Sequence, residues 1–248
     1  ITPMAQVGKE ALGSMGIDTP LAVLSNQPQL ISNYFKQLFA QVTNPPLDGI
    51  REEIVTDISL ALGQDRNIFD ISKKQCRKLR IQNPVISNED LEKIRNISVD
   101  NFKSETIEIL YPKVKGLNGL EDALENIIVQ ITKAIDRGTN IIILSDRGVN
   151  KEFAPIPSLL ACSYVHHQMN RLRKRSYFDI IIESAEPREP HHFATLFGYG
   201  ASAINPYMVN EIIRMQVKEG FITGMDEQKA VDNFNKAIGK GILKVMNK

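Results

Sequence analysis

NIIILSDRGVNKEFAPIPSLLACSYVHHQMNRLRKRSYFDIIIES, residues 140 to 184, is the stretch whose reading decides the fold. NIIILS (140–145) and FDIIIES (178–184) are continuous apolar runs of strand length, the pattern of strands buried on both faces. The segment between them, PIPSLLACSYVHHQMNRLRKR, reads as a helix with Pro157 near its first turn, where a missing N–H costs nothing. Strand, helix, strand in this order predicts a parallel pair joined by a helical crossover. Working upstream, ETIEILY (105–111) alternates and is β-branched, and LNGLEDALENIIVQITKAIDRG is a long helix closed by Gly138 at its C′ position. Downstream, EPHHFATLFGYG is helical to Gly198, ASAI is a short strand, and Asn205 with Pro206 reads as an N-cap followed by proline for a helix through Glu219. These are four βα units, and they predict an α/β fold with a parallel sheet flanked by helices.

The first half is less regular. PQLISNYFKQLFAQV (28–42) has helical spacing, and DGIREEIVTDISLALG (48–63) reads as a second helix capped by Asp48, with Glu52 and Glu53 in its first turn. Between them VTNPP (42–46) is a stiff connection, because Asn44 is held extended by the proline after it and neither Pro45 nor Pro46 can donate a hydrogen bond. Residues 64–104 read as an irregular excursion containing a helix, SNEDLEKIR, capped at Ser87 or Asn88.

Thirty basic and 29 acidic residues in a chain of 248 leave a net charge of +1, and no global electrostatic argument favours nucleic acid. Cys76 and Cys162 match no metal or redox spacing, so a reduced, cytoplasmic setting is expected, with no disulfide scaffold. The apolar runs are strand-sized, and no membrane span or export signal is expected. The four histidines form two adjacent pairs, His166–His167 and His191–His192, and neighbours in a helix point about 100° apart. They read as hydrogen-bonded structural residues, with a zinc site drawing one member from each pair as the alternative. Gly198 and Gly200 have the spacing of a dinucleotide fingerprint. They lie after a helix and before a strand, however, the reverse of what phosphate binding needs. Asp146 and Arg147 follow a predicted parallel strand, the place where α/β folds build sites. They are the best generic candidates for a loop that binds a small anionic metabolite, and the competing reading is a local pair that holds the loop.

Several blocks carry a family resemblance: EALGSMGIDTPLAVLS, YFKQLFAQVTNPPLDGIREE, NPVISNEDLEKIR, ILSDRGVNKEFAPIPSLLACSYVHH and REPHHFATLFGYGASAINPY. Together they resemble the central domain of glutamate synthase, over Glu10 to Lys248. Leu47, Gly49 and Gln168 depart from the family pattern. The resemblance implies one central domain over 1–248, with a helical and irregular part (1–104) carrying a tunnel-like loop, and βα units with a linker helix (105–248). It implies a rudimentary, incomplete TIM-barrel-like fold without the flavin of the related barrel. Such a domain joins a glutamine amidotransferase domain to an FMN-binding synthase domain, and ammonia passes between them to 2-oxoglutarate. By the same resemblance Met15, Thr43 and Asn44 line the ammonia tunnel. FMN and an iron-sulfur cluster belong to the full enzyme, and no cofactor, metal or catalytic residue is implied within this domain. Ile1 is not the amidotransferase's N-terminal cysteine, and both ends read as those of an excised piece.

Overall fold

The computed structural model describes residues 1–10, 21–36, 48–99 and 101–247. In chain order, α1 (Thr2–Val7) stops at Gly8, whose φ of 70° suits glycine. Asp48 caps α2 (Gly49–Val55), its carboxylate accepting the Ile50 and Arg51 N–H groups at 3.0 Å. β1 (Leu60–Leu62) pairs antiparallel with β2 (Leu79–Ile81), and α3 (Asn88–Arg95) starts at Ser87, whose hydroxyl accepts the Asp90 N–H. Next come β3 (Ser104–Glu108), β4 (Leu110–Pro112), α4 (Gly116–Asp136), β5 (Ile141–Ser145), β6 (Phe153–Pro155) and α5 (Ser158–Arg171). β7 (Asp179–Glu183), α6 (Pro190–Gly198), β8 (Ala203–Asn205), α7 (Tyr207–Lys218) and α8 (Glu227–Met246) complete the chain.

These elements form two compact units, each discontinuous in sequence: Ser59–Pro187 with Leu196–Met208, and Ile1–Ile58 with Arg188–Thr195 and Val209–Lys248. The first holds a four-stranded sheet in the order β3-β5-β7-β8, every pair parallel. Sequential order with right-handed crossovers sends successive helices to the same face of the sheet, the arrangement of a barrel wall. α4 packs on β3, and α5 packs on β5 and β7. All five residues of β5 are buried, as its unbroken apolar run requires.

The opposite face is covered from within the chain. Ile141, Ile143, Ile181 and Ala203 share one cluster with Leu62, Ile86, Leu91 and Ile94, joined by Leu60, Leu79, Ile81 and Phe102. The excursion before the sheet therefore fills the side that a closed barrel would line with its own strands. It also covers an edge: the Ile204 N–H donates to the Pro84 carbonyl and the Ile86 N–H to the Ile204 carbonyl, so β8 gains a short parallel partner.

In the other unit α1 packs along α8. Met4 and Ala5 are buried, as are Ala230, Val231, Phe234, Ala237 and Ile238. Asn233 donates to the Ala5 carbonyl at 3.0 Å, and Gln6 exchanges two hydrogen bonds with the backbone of Thr223.

Four sequence expectations are corrected in detail. Residues 48–63 do not form one helix: α2 ends at Val55, and Leu60–Leu62 is a strand because its cross-strand partner, LRI (79–81), supplies a ladder. Within 28–42 the described part is a 3₁₀ turn, Ile31–Phe35. The single strand read over 105–111 divides into β3 and β4, since Leu110–Pro112 turns to pair with Phe153–Pro155. Asn205 ends β8 rather than capping α7, and its amide donates to the Ile86 carbonyl and to Asn88.

Ile181→Ala should lower the unfolding free energy by about 2–5 kcal/mol, the cost of a cavity in a tight core. Urea titration measures it. A loss below about 1 kcal/mol would mean that the excursion does not close-pack on the sheet.

Candidate functional site

Strand register places Glu108, Ser145, Glu183 and Asn205 side by side at the C-terminal end of the parallel sheet. Registered neighbours point to the same face, so these polar residues crown the isoleucine layer beneath them. Glu183 is fully buried. Its Oε2 accepts Arg95 Nη2 at 2.8 Å, and its Oε1 accepts Arg147 Nε at 2.5 Å. Burial works to raise the Glu183 pKa, but hydrogen bonds from Ser145, Arg147 and Arg95 outweigh it and hold the carboxyl below its ordinary value.

Asp146, 3% exposed, does not pair with the arginine beside it. It accepts the Ser184 hydroxyl at 2.6 Å and the Ala185 N–H at 3.1 Å, stapling the exits of β5 and β7 together. It also accepts a hydrogen bond from Tyr207. Burial first, then that hydrogen bond and the Asp146 charge, push the phenol pKa well up, so Tyr207 stays a donor. The Arg147 guanidinium lies 4.2 Å from the centre of the Tyr207 ring, a cation–π contact that fixes its plane. Gly148 next to it leaves room for its neighbours, since a Cβ there would sit 2.7 Å from Leu110 Cδ1 and make that side chain shift. A neighbouring bond went unforeseen in the sequence: Glu186 accepts both the N–H and the hydroxyl of Ser158 at the start of α5, at 2.8 and 2.5 Å.

Of the sequence-predicted positions, Asp146 and Arg147 thus meet at one polar cluster. Met15, Thr43 and Asn44 lie outside the described residues. The histidines have structural partners. His191 Nε2 bonds the Ser32 carbonyl at 2.8 Å, and His192 Nδ1 accepts the Arg188 N–H at 3.2 Å. Burial, then the charges of Arg175 and His167, hold His166 below the usual histidine range, and its Nδ1 accepts Arg175 Nε. No set of three potential metal ligands is grouped among the described residues. Arg175, last of the RLRKR run, donates to the Phe178 and Gly200 carbonyls at 2.6 and 2.8 Å. Gly200, with φ +99°, packs so tightly that a Cβ would fall 2.2 Å from His166 Nδ1. The glycine pair is thereby explained as helix exit and close packing. Cys162 is buried, and its thiol is pushed up to about 12 by that burial. Among the described residues no helix is long and apolar enough to cross a membrane.

Comparison with known proteins gives a consistent result. A family model described as the glutamate synthase central domain matches residues 1–248. The chain is 42% identical over its whole length to glutamate synthase [NADH] of Schizosaccharomyces pombe, covering 12% of that protein. It is likewise 42% identical to the glutamate synthase [NADPH] large chain of Bacillus subtilis, covering 16% of it. Against the chloroplastic ferredoxin-dependent glutamate synthase of Spinacia oleracea the identity is 35%, over 16% of that protein. The chain therefore spans less than a fifth of the length of these relatives. Among solved structures, a mutant flavocytochrome b2 with benzoylformate aligns with 48% of this chain and 28% of its own, at 10% identity and a TM-score of 0.41.

Glu183→Gln should destabilise the protein by roughly 3 kcal/mol at neutral pH, the low end for a broken buried pair because both arginines reach solvent. A depressed folded-state pKa contributes stability that is present above the unfolded value and lost as pH falls through the folded one. The gap between wild type and Glu183→Gln, followed by chemical denaturation, should therefore be full at pH 7 and close in the acid range. A gap unchanged across that range would show that the Glu183 charge is not what holds the cluster.

Proposed function

The chain belongs to the glutamate synthase central domain family, and from that premise we propose that it is the non-catalytic middle of a glutamate synthase. In this reading it joins a glutamine amidotransferase domain to an FMN-binding synthase domain. It also contributes wall to the tunnel that carries ammonia toward 2-oxoglutarate for glutamate synthesis. FMN, the iron-sulfur cluster and the redox chemistry lie in other parts of the enzyme.

The observation that carries the proposal is the end-to-end match to relatives named for three different electron donors: NADH, NADPH and ferredoxin. A segment shared at 35–42% identity across donor types has a task common to all of them, which fits scaffolding and ammonia transfer better than electron delivery. One of these relatives is named chloroplastic, so the proposed role is not tied to the cytoplasm.

Met15, Thr43 and Asn44 are the proposed tunnel-lining positions. Pro45 and Pro46 have no N–H, so carbonyls in this stretch are left to accept from a small hydrogen-bond donor, while Met15 offers an adaptable apolar wall. The described residues on either side of this stretch are anchored. Before it, Lys36 pairs with Glu189 at 3.0 Å and Ser32 is held by His191. After it, the Asp48 cap starts α2 at once.

In the complete enzyme, Thr43→Phe or Asn44→Phe should cut glutamine-dependent glutamate formation severalfold while glutamine hydrolysis continues and ammonia escapes to solution. Parallel assays of glutamate, glutamine and free ammonia make the test. Equal loss of both activities, or loss of neither, would remove these residues from the tunnel.

A further inference from the structure

We propose that the C-terminal end of the parallel sheet is a carboxylate-binding site whose ligand is the chain's own Glu183. The proposal is independent of the tunnel. It starts from the way the carboxylate is received: each oxygen takes a different guanidinium, Arg95 at 2.8 Å and Arg147 at 2.5 Å, and Ser145 adds a further hydrogen bond. Two cations from separate elements converging on one carboxylate is how proteins receive a carboxylate ligand.

The receptor is built without Glu183. Arg147 is oriented by the face of Tyr207, and Tyr207 in turn is oriented by Asp146, whose oxygens are also engaged by Ser184 and Ala185. Arg95 lies in the last turn of α3, where Glu92 stands 3.3 Å from its Nε. Removing the Glu183 side chain would leave Arg147 anchored on Tyr207 and Arg95 beside Glu92, with the two guanidinium groups short of one anion. The position is also the one where parallel βα units ordinarily meet their ligands, beyond the carboxyl ends of the strands.

Arg147 gives access, since its side chain is 45% exposed while the Glu183 side chain is 1% exposed. A small anion can reach the pair from solution, yet it competes against a carboxylate tethered by its own strand. Tethering gives an effective concentration in the millimolar range or above, and β7 is hydrogen-bonded on both sides by β5 and β8, so the internal ligand wins. The site is thereby closed to metabolite carboxylates in the native protein.

The test follows from size. Glu183→Ala deletes Cγ, Cδ and the two carboxylate oxygens, which is the heavy-atom set of acetate. In the complete enzyme carrying E183A, hydrogen exchange by mass spectrometry is followed in peptides covering 141–147 and 179–185, in acetate and in chloride at equal ionic strength. In chloride those peptides should exchange at least about tenfold faster than in wild type. Acetate should slow them again with saturation, and propionate, one carbon too long, should do less. Wild type, E183Q, whose amide still fills the space, and the double variant E183A/R147A should not respond. Equal exchange of E183A in acetate and chloride overturns the proposal, as does an acetate effect of the same size in wild type or in the double variant. An E183A protein that folds in neither salt overturns it as well, because a preformed receptor would fold around the supplied anion.

Discussion

An open parallel sheet in sequential order has a constraint that a closed barrel escapes: one face and both edges are left without cover. Right-handed crossovers put the helices on one side only. In this chain the uncovered side carries Ile141, Ile143, Ile181 and Ala203, all fully buried. Residues 60–99 meet the constraint at the face and at the β8 edge. Their short hairpin and α3 fill the exposed face, and Pro84 to Ile86 pair with the edge of β8. The irregular part of the sequence is thus the condition for the regular part to remain open.

The polar cluster at the strand ends is tied to that arrangement. Arg95, one of the two cations on Glu183, is supplied by α3, an element of the excursion and not of the sheet. The other, Arg147, comes from the loop after β5. The carboxylate therefore joins the cover to the sheet that it covers, at the level where the apolar layer gives way to polar side chains. Asp146, Ser184 and Tyr207 extend the same junction through hydrogen bonds.

Much of the sheet was legible because its signals are local. The unbroken runs IIIL and DIIIE could only be strands buried on both faces, Gly138 closes α4 with φ 85°, and Asp48 and Ser87 are caps whose hydrogen bonds form within three residues. The misread segments are those decided by distant partners. Leu60–Leu62 follows an apolar helix pattern smoothly enough to be read as its continuation, and only the ladder with Leu79–Ile81 makes it a strand. The Asn205–Pro206 pair satisfies every local rule for a helix start, yet buried partners at Ile86 and Asn88 claim its amide. Asp146 and Arg147 were found from their place after a strand. Glu183, on which both arginines converge, was not, because nothing in FDIIIES says that arginines 36 and 88 residues away will meet there. Thr43 and Asn44 were read from resemblance and loop chemistry, and they lie beyond the described residues.

The pairing of the first helix with the last has a consequence for biosynthesis. The Ala5 carbonyl waits for the amide of Asn233, which is 228 positions later in the chain. At elongation rates of about 5–20 residues per second, that interval is on the order of ten to forty-five seconds. Throughout it Met4 and Ala5 lack the surface that buries them in the finished fold. The parallel sheet between them can form earlier, as its strands emerge in the order in which they stand. The sheet can therefore fold before α1 and α8 meet, and chaperone contact with α1 would fall within that window.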